Sequence, residues 1–307
     1  MIRAGSVIVL TMLAMVSCAQ QKVLKDEPAP GNSLLWKVEG NGLEKPSWIF
    51  GTIHMLCKDD AVLSDNMRQV IRDCDVVYME MDLDNIFEMM GAFSKLKMTG
   101  DTTLRDLLSE KDYSKVKAYF EEKSTLLPFS VLETYKPMMA SSLLSEGDLP
   151  CEGATSMEQI IMGAAKQQSK KIKGLETMAQ QAGFLDSIPY KYQAAELVKY
   201  IDSAGTDNGQ STMMDQLFDA YRNQDLKKLE DLMLDSDAGM SSFSDILLYR
   251  RNANWVMKLK TLMTDKSLLV AVGAGHLPGE KGVISLLRKA GYTVTPVENK
   301  RIRTKEI

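Results

Sequence analysis

Two stretches of this chain are apolar at nearly every consecutive position: Val76-Val77-Tyr78-Met79 and Leu268-Leu269-Val270-Ala271-Val272. Neither alternates with polar residues, so neither suits a strand with one wet face. Both are too short for a buried helix and are bounded by polar residues or glycine. They read as the middle strands of a parallel sheet. Leu34–Val38 and Ser47–Phe50, joined by a turn from Gly40 to Pro46, read as a hairpin. Lys170–Leu175 and Tyr292–Val297 complete the strand set. Helical spacing covers Asp60–Cys74, Leu83–Lys97, Thr103–Leu108, Ser109–Lys123, Met157–Gln168, Tyr190–Asp202, Met213–Arg222, Leu226–Leu234, Ile246–Thr264 and Gly282–Ala290. Helices alternating with buried strands define the α/β class, here a mixed, largely parallel central sheet with flanking helices. The helical insertion around 83–170 reads as a lid or subdomain.

The amino end reads differently. Arg3 precedes an apolar run from Val7 to Val16, the length of a signal h-region and too short for a membrane span. The run ends Ser17-Cys18-Ala19, the shape of a lipobox. Residues 1–17 are therefore expected to be a lipoprotein signal peptide, with Cys18 lipidated after cleavage. The alternative is an ordinary signal cut near Ala19-Gln20. Residues 18–32 are polar and read as a flexible tether, and 33–307 as one α/β domain. An exported protein, lipid-anchored in the cell envelope, follows. The net charge of −4 gives no basic face for nucleic acid. Export also permits disulfides. Cys57 and Cys151 lie in loop-like segments and are the candidate pair, with three reduced cysteines as the alternative, while Cys74 reads as a buried thiol.

Two strands end in the same pattern. Ile49-Phe50-Gly51-Thr52-Ile53-His54 and Ala271-Val272-Gly273-Ala274-Gly275-His276 are both strand, then Gly-x-x-His, and they use both histidines of the chain. In an open parallel sheet, ligands bind beyond the carboxyl ends of the strands. Glu80 and Asp82 close one apolar run, and Glu176 closes Lys170–Leu175. If these strands are neighbours, two imidazoles and two or three carboxylates converge on one edge. His54, Glu80 and His276 could then hold zinc, manganese or cobalt. Such an ion would acidify its water, and a spare carboxylate would take the proton. Arg251, on the Ile246–Thr264 helix, would bind a substrate carboxylate or an oxyanion. Each residue also has a plainer reading. The histidines could satisfy core hydrogen bonds, Glu80 could pair with Arg251, Asp82 could cap a helix, and Glu176 could be a first-turn acid.

Taken together, Trp48–His54, Met79-Glu80-Met81-Asp82, Gly174-Leu175-Glu176-Thr177 with Gln180, Arg251-Asn252 and Gly273–His276 resemble the TraB/GumN family, in order along nearly the whole domain. The same group includes the Tiki proteases. The resemblance implies a metal-dependent protease using manganese or cobalt, with His54, Glu80 and His276 in the site and a peptide or small-molecule substrate. Glu176 and Arg251 would position substrate or stabilise the transition state. The wider superfamily implies two rivals on a similar fold: metal-free hydrolysis, as in erythromycin-esterase-like enzymes, and haem or peptide binding without catalysis, as in ChaN-like lipoproteins. One departure stands out. Where family members carry Gly-x-Asp ahead of the helix before Gly-Leu-Glu, this chain reads Gly153-Ala154-Thr155-Ser156-Met157-Glu158.

Overall fold

The strands of the computed structural model are β1 (Leu35–Glu39), β2 (Ser47–Thr52), β3 (Leu56–Cys57), β4 (Val76–Met81), β5 (Ala154–Thr155), β6 (Lys171–Glu176), β7 (Leu268–Gly273) and β8 (Thr293–Val297). Six of them build one sheet in the order β6-β4-β7-β2-β1-β8. The first four are mutually parallel, and β2-β1 and β1-β8 are antiparallel. The two dense apolar runs, β4 and β7, lie side by side inside the sheet. The structure describes residues 32–82, 85, 93–123, 127–145, 153–204, 210–235 and 243–300. The expected signal segment, Cys18, most of the tether and Cys151 lie outside them. So does most of the expected Leu83–Lys97 helix, whose described part, Phe93–Leu96, is a 3-10 turn. Described residues from Asn32 onward belong to one unit.

Register fixes which strand ends meet. Thr52 of β2 faces Gly273 of β7, Met79 of β4 faces both Gly174 of β6 and Ala271 of β7, and Met81 faces Glu176. The carboxyl ends of β6, β4, β7 and β2 therefore share one edge. The segment after β7 crowds back onto β2. A Cβ on Gly51 would stand 2.9 Å from Leu277 Cδ1 and 3.1 Å from Ala274 Cα. Glycine is required there for close approach, not for an unusual turn.

Helices supply the flanks: α1 (Asp65–Asp73), α2 (Leu104–Leu107), α3 (Glu110–Glu122), α4 (Phe129–Leu132), α5 (Pro137–Ser145), α6 (Met157–Gln167), α7 (Met178–Asp186), α8 (Tyr190–Ala204), α9 (Gln210–Arg222), α10 (Leu226–Asp235), α11 (Arg250–Leu262) and α12 (Val283–Lys289). Helix α1 starts later than its apolar spacing predicts. Ser64 is the cap, accepting from the Met67 N–H at 3.0 Å, and Asp60 is drawn away to Arg222 at 2.7 Å. The single helix expected over Ile246–Thr264 forms, with its first turn widened. Asp245–Tyr249 is a π turn, and α11 follows it.

The described residues form two apolar cores. The larger packs the sheet against its helices around Trp36, Met67, Val77, Leu269, Trp255 and Leu287. The smaller joins Leu104, Val116, Phe120, Leu132 and Ala140 to Ala194 and Leu197. The helical subdomain thus takes in α8, beyond the predicted insertion. Helix α6, inside that insertion by sequence, packs instead with α1 and β6 on the main core.

Candidate active site at the carboxyl edge of the sheet

Glu80 sits one residue before the end of β4, and alternation turns it away from the face of Met79 and Met81. Its Oε1 accepts the Gly273 N–H at 2.8 Å. Its Oε2 accepts from Arg251 Nη2 at 2.6 Å and from Gln181 Nε2 at 3.1 Å. A Cβ on Gly273 would meet Glu80 Oε1 at 3.2 Å, so the second motif glycine makes room for this carboxylate. Glu176, the last residue of β6, accepts from Arg251 Nε at 3.0 Å. The plainer reading of Glu80, an ion pair with Arg251, is what the structure contains.

Arg251 is the centre of this cluster. It is buried on the first turn of α11, while its neighbour Arg250 faces solvent and pairs with Asp245. Nη1 donates to Leu247 O at 3.0 Å and lies 3.3 Å from His276 Nε2. One N–H on Nε, two on Nη1 and one on Nη2 are thereby held by the protein. A guanidinium has five donors. Through these contacts Arg251 positions Glu80, Glu176 and His276.

His276 is buried beneath Trp255, with ring centres 4.4 Å apart. Asn252 Nδ2 donates to Lys281 O at 2.9 Å, which turns Asn252 Oδ1 to His276 Nδ1 at 2.6 Å. An amide oxygen only accepts, so Nδ1 carries the proton and Nε2 presents its lone pair to Arg251. Burial pushes this imidazole down to about 4, against the pull of Glu80. Burial would raise the Glu80 carboxyl, but His276, Arg251, His54 and the Gly273 N–H hold it at about 2. Glu176 goes the other way, raised by burial despite Arg251.

His54 follows β2 and is the open side of the site, its side chain 73% exposed. Its Nδ1 stands 2.9 Å from Oε1 of Glu158. That contact raises the ring to about 9, helped by Glu80 and opposed by Arg251. The charges of His54, Glu80 and Arg251 therefore act on one another around the neutral His276 ring, and the four groups form one electrostatic site.

Glu158 is the residue that sequence reasoning missed. It lies in the first turn of α6, after the Ser156 cap, where the helix dipole favours an anion. It is only 7% exposed. Its Oε1 faces His54 Nδ1 at 2.9 Å, and the buried Thr52 hydroxyl lies beside it. Burial would raise Glu158, but His54 first and then Thr52 hold it down. The only signal in the sequence was its place after Ser156, four residues beyond Ala154, where the Gly-x-Asp pattern fails. The cysteine expectation is half visible. Cys57 is disulfide-bonded, and Cys151 lies outside the described residues. Cys74 is a free, buried thiol.

A family model described as TraB/PrgY/gumN matches residues 34–296. This chain belongs to that family. Metalloprotease TIKI1 of Homo sapiens is 22% identical over 88% of this chain and 63% of its own length. A Metalloprotease TIKI homolog of Amphimedon queenslandica is 22% identical over 87% of this chain and 62% of its own. The chain thus spans less than two thirds of these relatives. Uncharacterized protein YbaP of Shigella flexneri is 24% identical over 84% of this chain and 94% of its own. No solved structure matches.

A metal centre is implied by the metalloprotease names, and the donor set tests it. Among the described residues, no three His, Cys, Asp or Glu side chains gather to hold an ion. Glu80 Oε1 and His276 Nε2 approach to 3.7 Å, but the Arg251 guanidinium touches both residues. A fixed cation stands where a metal would collect these donors, and His54 Nδ1 is turned to Glu158. The expected set of His54, Glu80 and His276 does not fit a three-ligand centre as arranged.

Proposed function

We propose that this family member is a hydrolase of amide or ester bonds, a peptidase by the analogy of its Tiki relatives, with His54 as its proton-transfer group. One observation carries the reading: an exposed imidazole is fixed through Nδ1 by a buried carboxylate, Glu158, at 2.9 Å. A carboxylate on one ring nitrogen sets the tautomer and leaves Nε2 to exchange protons with water or substrate. In its neutral form His54 takes a proton from water as the oxygen adds to the substrate carbonyl. The resulting imidazolium returns that proton to the departing amine or alkoxide. Glu158 stabilises the imidazolium between those steps. Glu80, Glu176 and Arg251 hold the floor of the site rigid and charged, and His276 stays neutral within it.

The relatives' names favour a bound manganese, cobalt or zinc ion, whereas the arginine among the donors favours water activation by the chain's own groups. We further propose export and anchoring to envelope lipid through Cys18, supported by the Val7–Val16 run before Ser17-Cys18. Loss of palmitate labelling in Cys18→Ser would be the expected sign.

The deciding assay uses the purified chain on a fluorogenic peptide and ester library, with and without chelator and added manganese. His54→Gln is expected to lower kcat by about 10²–10⁴-fold, the usual contribution of a positioned acid–base group. Unchanged turnover in His54→Gln sinks the proposal. Full activity in chelator supports the metal-free route, and activity restored only by manganese supports a metal centre built after rearrangement of Arg251.

A further inference from the structure

The residues that flank His54 form more than the rim of a catalytic group. Just after it, β3 pairs with β5 as a separate two-stranded ribbon, with Leu56 opposite Thr155 and Cys57 opposite Ala154. The Lys58 N–H donates to Gly153 O at 3.3 Å. Antiparallel pairs alternate between bonded and non-bonded. With Lys58 and Gly153 bonded, Leu56 and Thr155 are bonded as well, and Cys57 and Ala154 are not. Ala154 therefore turns its N–H and C=O to the outer edge of β5, where they meet no partner among the described residues.

That edge borders a cavity of about 420 Å³, inside the usual range for ligand pockets. His54, Met55, Ser142, Ala154, Thr155, Ser156 and Gln159 line it. Apart from His54 the lining carries hydroxyls, an amide, a methyl and the Met55 thioether, with no fixed charge. Ser142 spends its hydroxyl on Met139 O, and Thr155 points its own at Gln159 Oε1, so neither offers a strong claim on a charged side chain.

We propose that this cavity binds an extended peptide as an added antiparallel strand on β5, through Ala154 N–H and C=O, with an uncharged side chain seated beside His54. The proposal rests on the hydrolase reading and adds the mode and class of substrate. A donor and an acceptor on one residue, without partners among the described residues, match one residue of an extended chain, and strand addition is a general way to bind peptide backbone. Beside the His54–Glu158 pair, whose charges offset each other, the rest of the lining offers no countercharge, so the pocket admits neutral side chains and penalises a buried charge.

The test is a scan of backbone methylation. A blocked heptapeptide of Ser, Thr and Ala is titrated into the purified, [15N]alanine-labelled chain, together with its single N-methyl analogues and with Glu and Lys replacements. Binding is read at the Ala154 amide by shift and exchange protection, and cleavage is read separately. The expected result is one N-methyl position that weakens binding by about fivefold or more, since one lost hydrogen bond is worth ~1 kcal/mol. Both neighbouring positions should tolerate the methyl, a period of two. A central Glu or Lys should weaken binding as well. This pattern without cleavage would support the docking mode and sink the hydrolase reading. Cleavage with equal sensitivity at every position, or with no effect at Ala154, would overturn the docking mode and leave the hydrolase reading standing. Absence of both binding and cleavage across the series would overturn the inference.

Discussion

Replacing Arg251 with glutamine would expose how the site is held. The change keeps the side chain's polarity and removes its charge. It breaks the 2.6 Å contact to Glu80 and the 3.0 Å contact to Glu176. Both carboxylates are at least about nine-tenths buried, with side chains 11% and 5% exposed. Removing one partner of a buried ion pair costs about 3–5 kcal/mol, because the remaining charge stays desolvated and uncompensated. Two such charges remain here, so the upper half of the range applies. At roughly 2–4 °C per kcal/mol for a large domain, the midpoint of thermal unfolding should fall by ~8–20 °C. The assay is urea and thermal unfolding of Arg251→Gln, Glu80→Gln and the double variant. If stranded charge is the cause, the double variant should recover part of the loss, with a coupling of about 1–3 kcal/mol. A loss below ~1 kcal/mol in Arg251→Gln, or strict additivity in the cycle, would refute the account of Arg251 as the centre of the cluster.

Other perturbations follow from the same geometry. The His276 imidazole is pushed down to about 4 in the fold, below its ordinary 6.5. The unfolded chain therefore binds this proton first, and stability should fall as the pH drops from 6.5 toward 4, a slope that urea titrations should find flattened in His276→Gln. His54 moves the other way, raised by Glu158 to about 9. With only two histidines in the chain, ring NMR should show one titrating near 9 and returning toward 6.5 in Glu158→Gln, while a His54 midpoint unmoved by that change would break the pairing. Gly51→Ala should destabilise by about 1–3 kcal/mol in urea unfolding, as its Cβ meets Leu277 and the Ala274 backbone. The Cys74 thiol, raised to about 11 by burial, should resist thiol reagents until the protein unfolds.

Most of the fold was legible because it rests on local periodicity. The dense runs at Val76 and Leu268 could satisfy their apolar surface only inside a covered parallel sheet, and that is where they lie. The convergence of Glu80, Glu176 and His276 followed from strand ends and the glycines before the histidines. What failed depended on side-chain competition. Nothing local says that Asp60 leaves its helix for Arg222, or that Leu247 O is needed by Arg251 and a π turn supplies it. Glu158 looked like any helix-start acid, because its burial comes from His54 and Thr52, about a hundred residues earlier in the chain. How the expected ligands are arranged was hidden for a related reason. Sequence shows which residues can be ligands, but not that a guanidinium is threaded between them.

The cluster also has a consequence for folding time. Arg251 reaches Glu80 across 171 residues of chain, and Gly273 reaches it across 193. Contacts of such sequence separation close late, after the loop entropy between them has been overcome. Until α11 and β7 are in place, Glu80 and Glu176 remain hydrated anions at the end of strands that have no reason to bury them. Completion of the site is thus a final step that reports on the threading of the whole sheet. A chain whose strands paired in the wrong order would carry two solvated acids where the native chain carries a neutralised, dry cluster, and proteases would meet the difference before any substrate did.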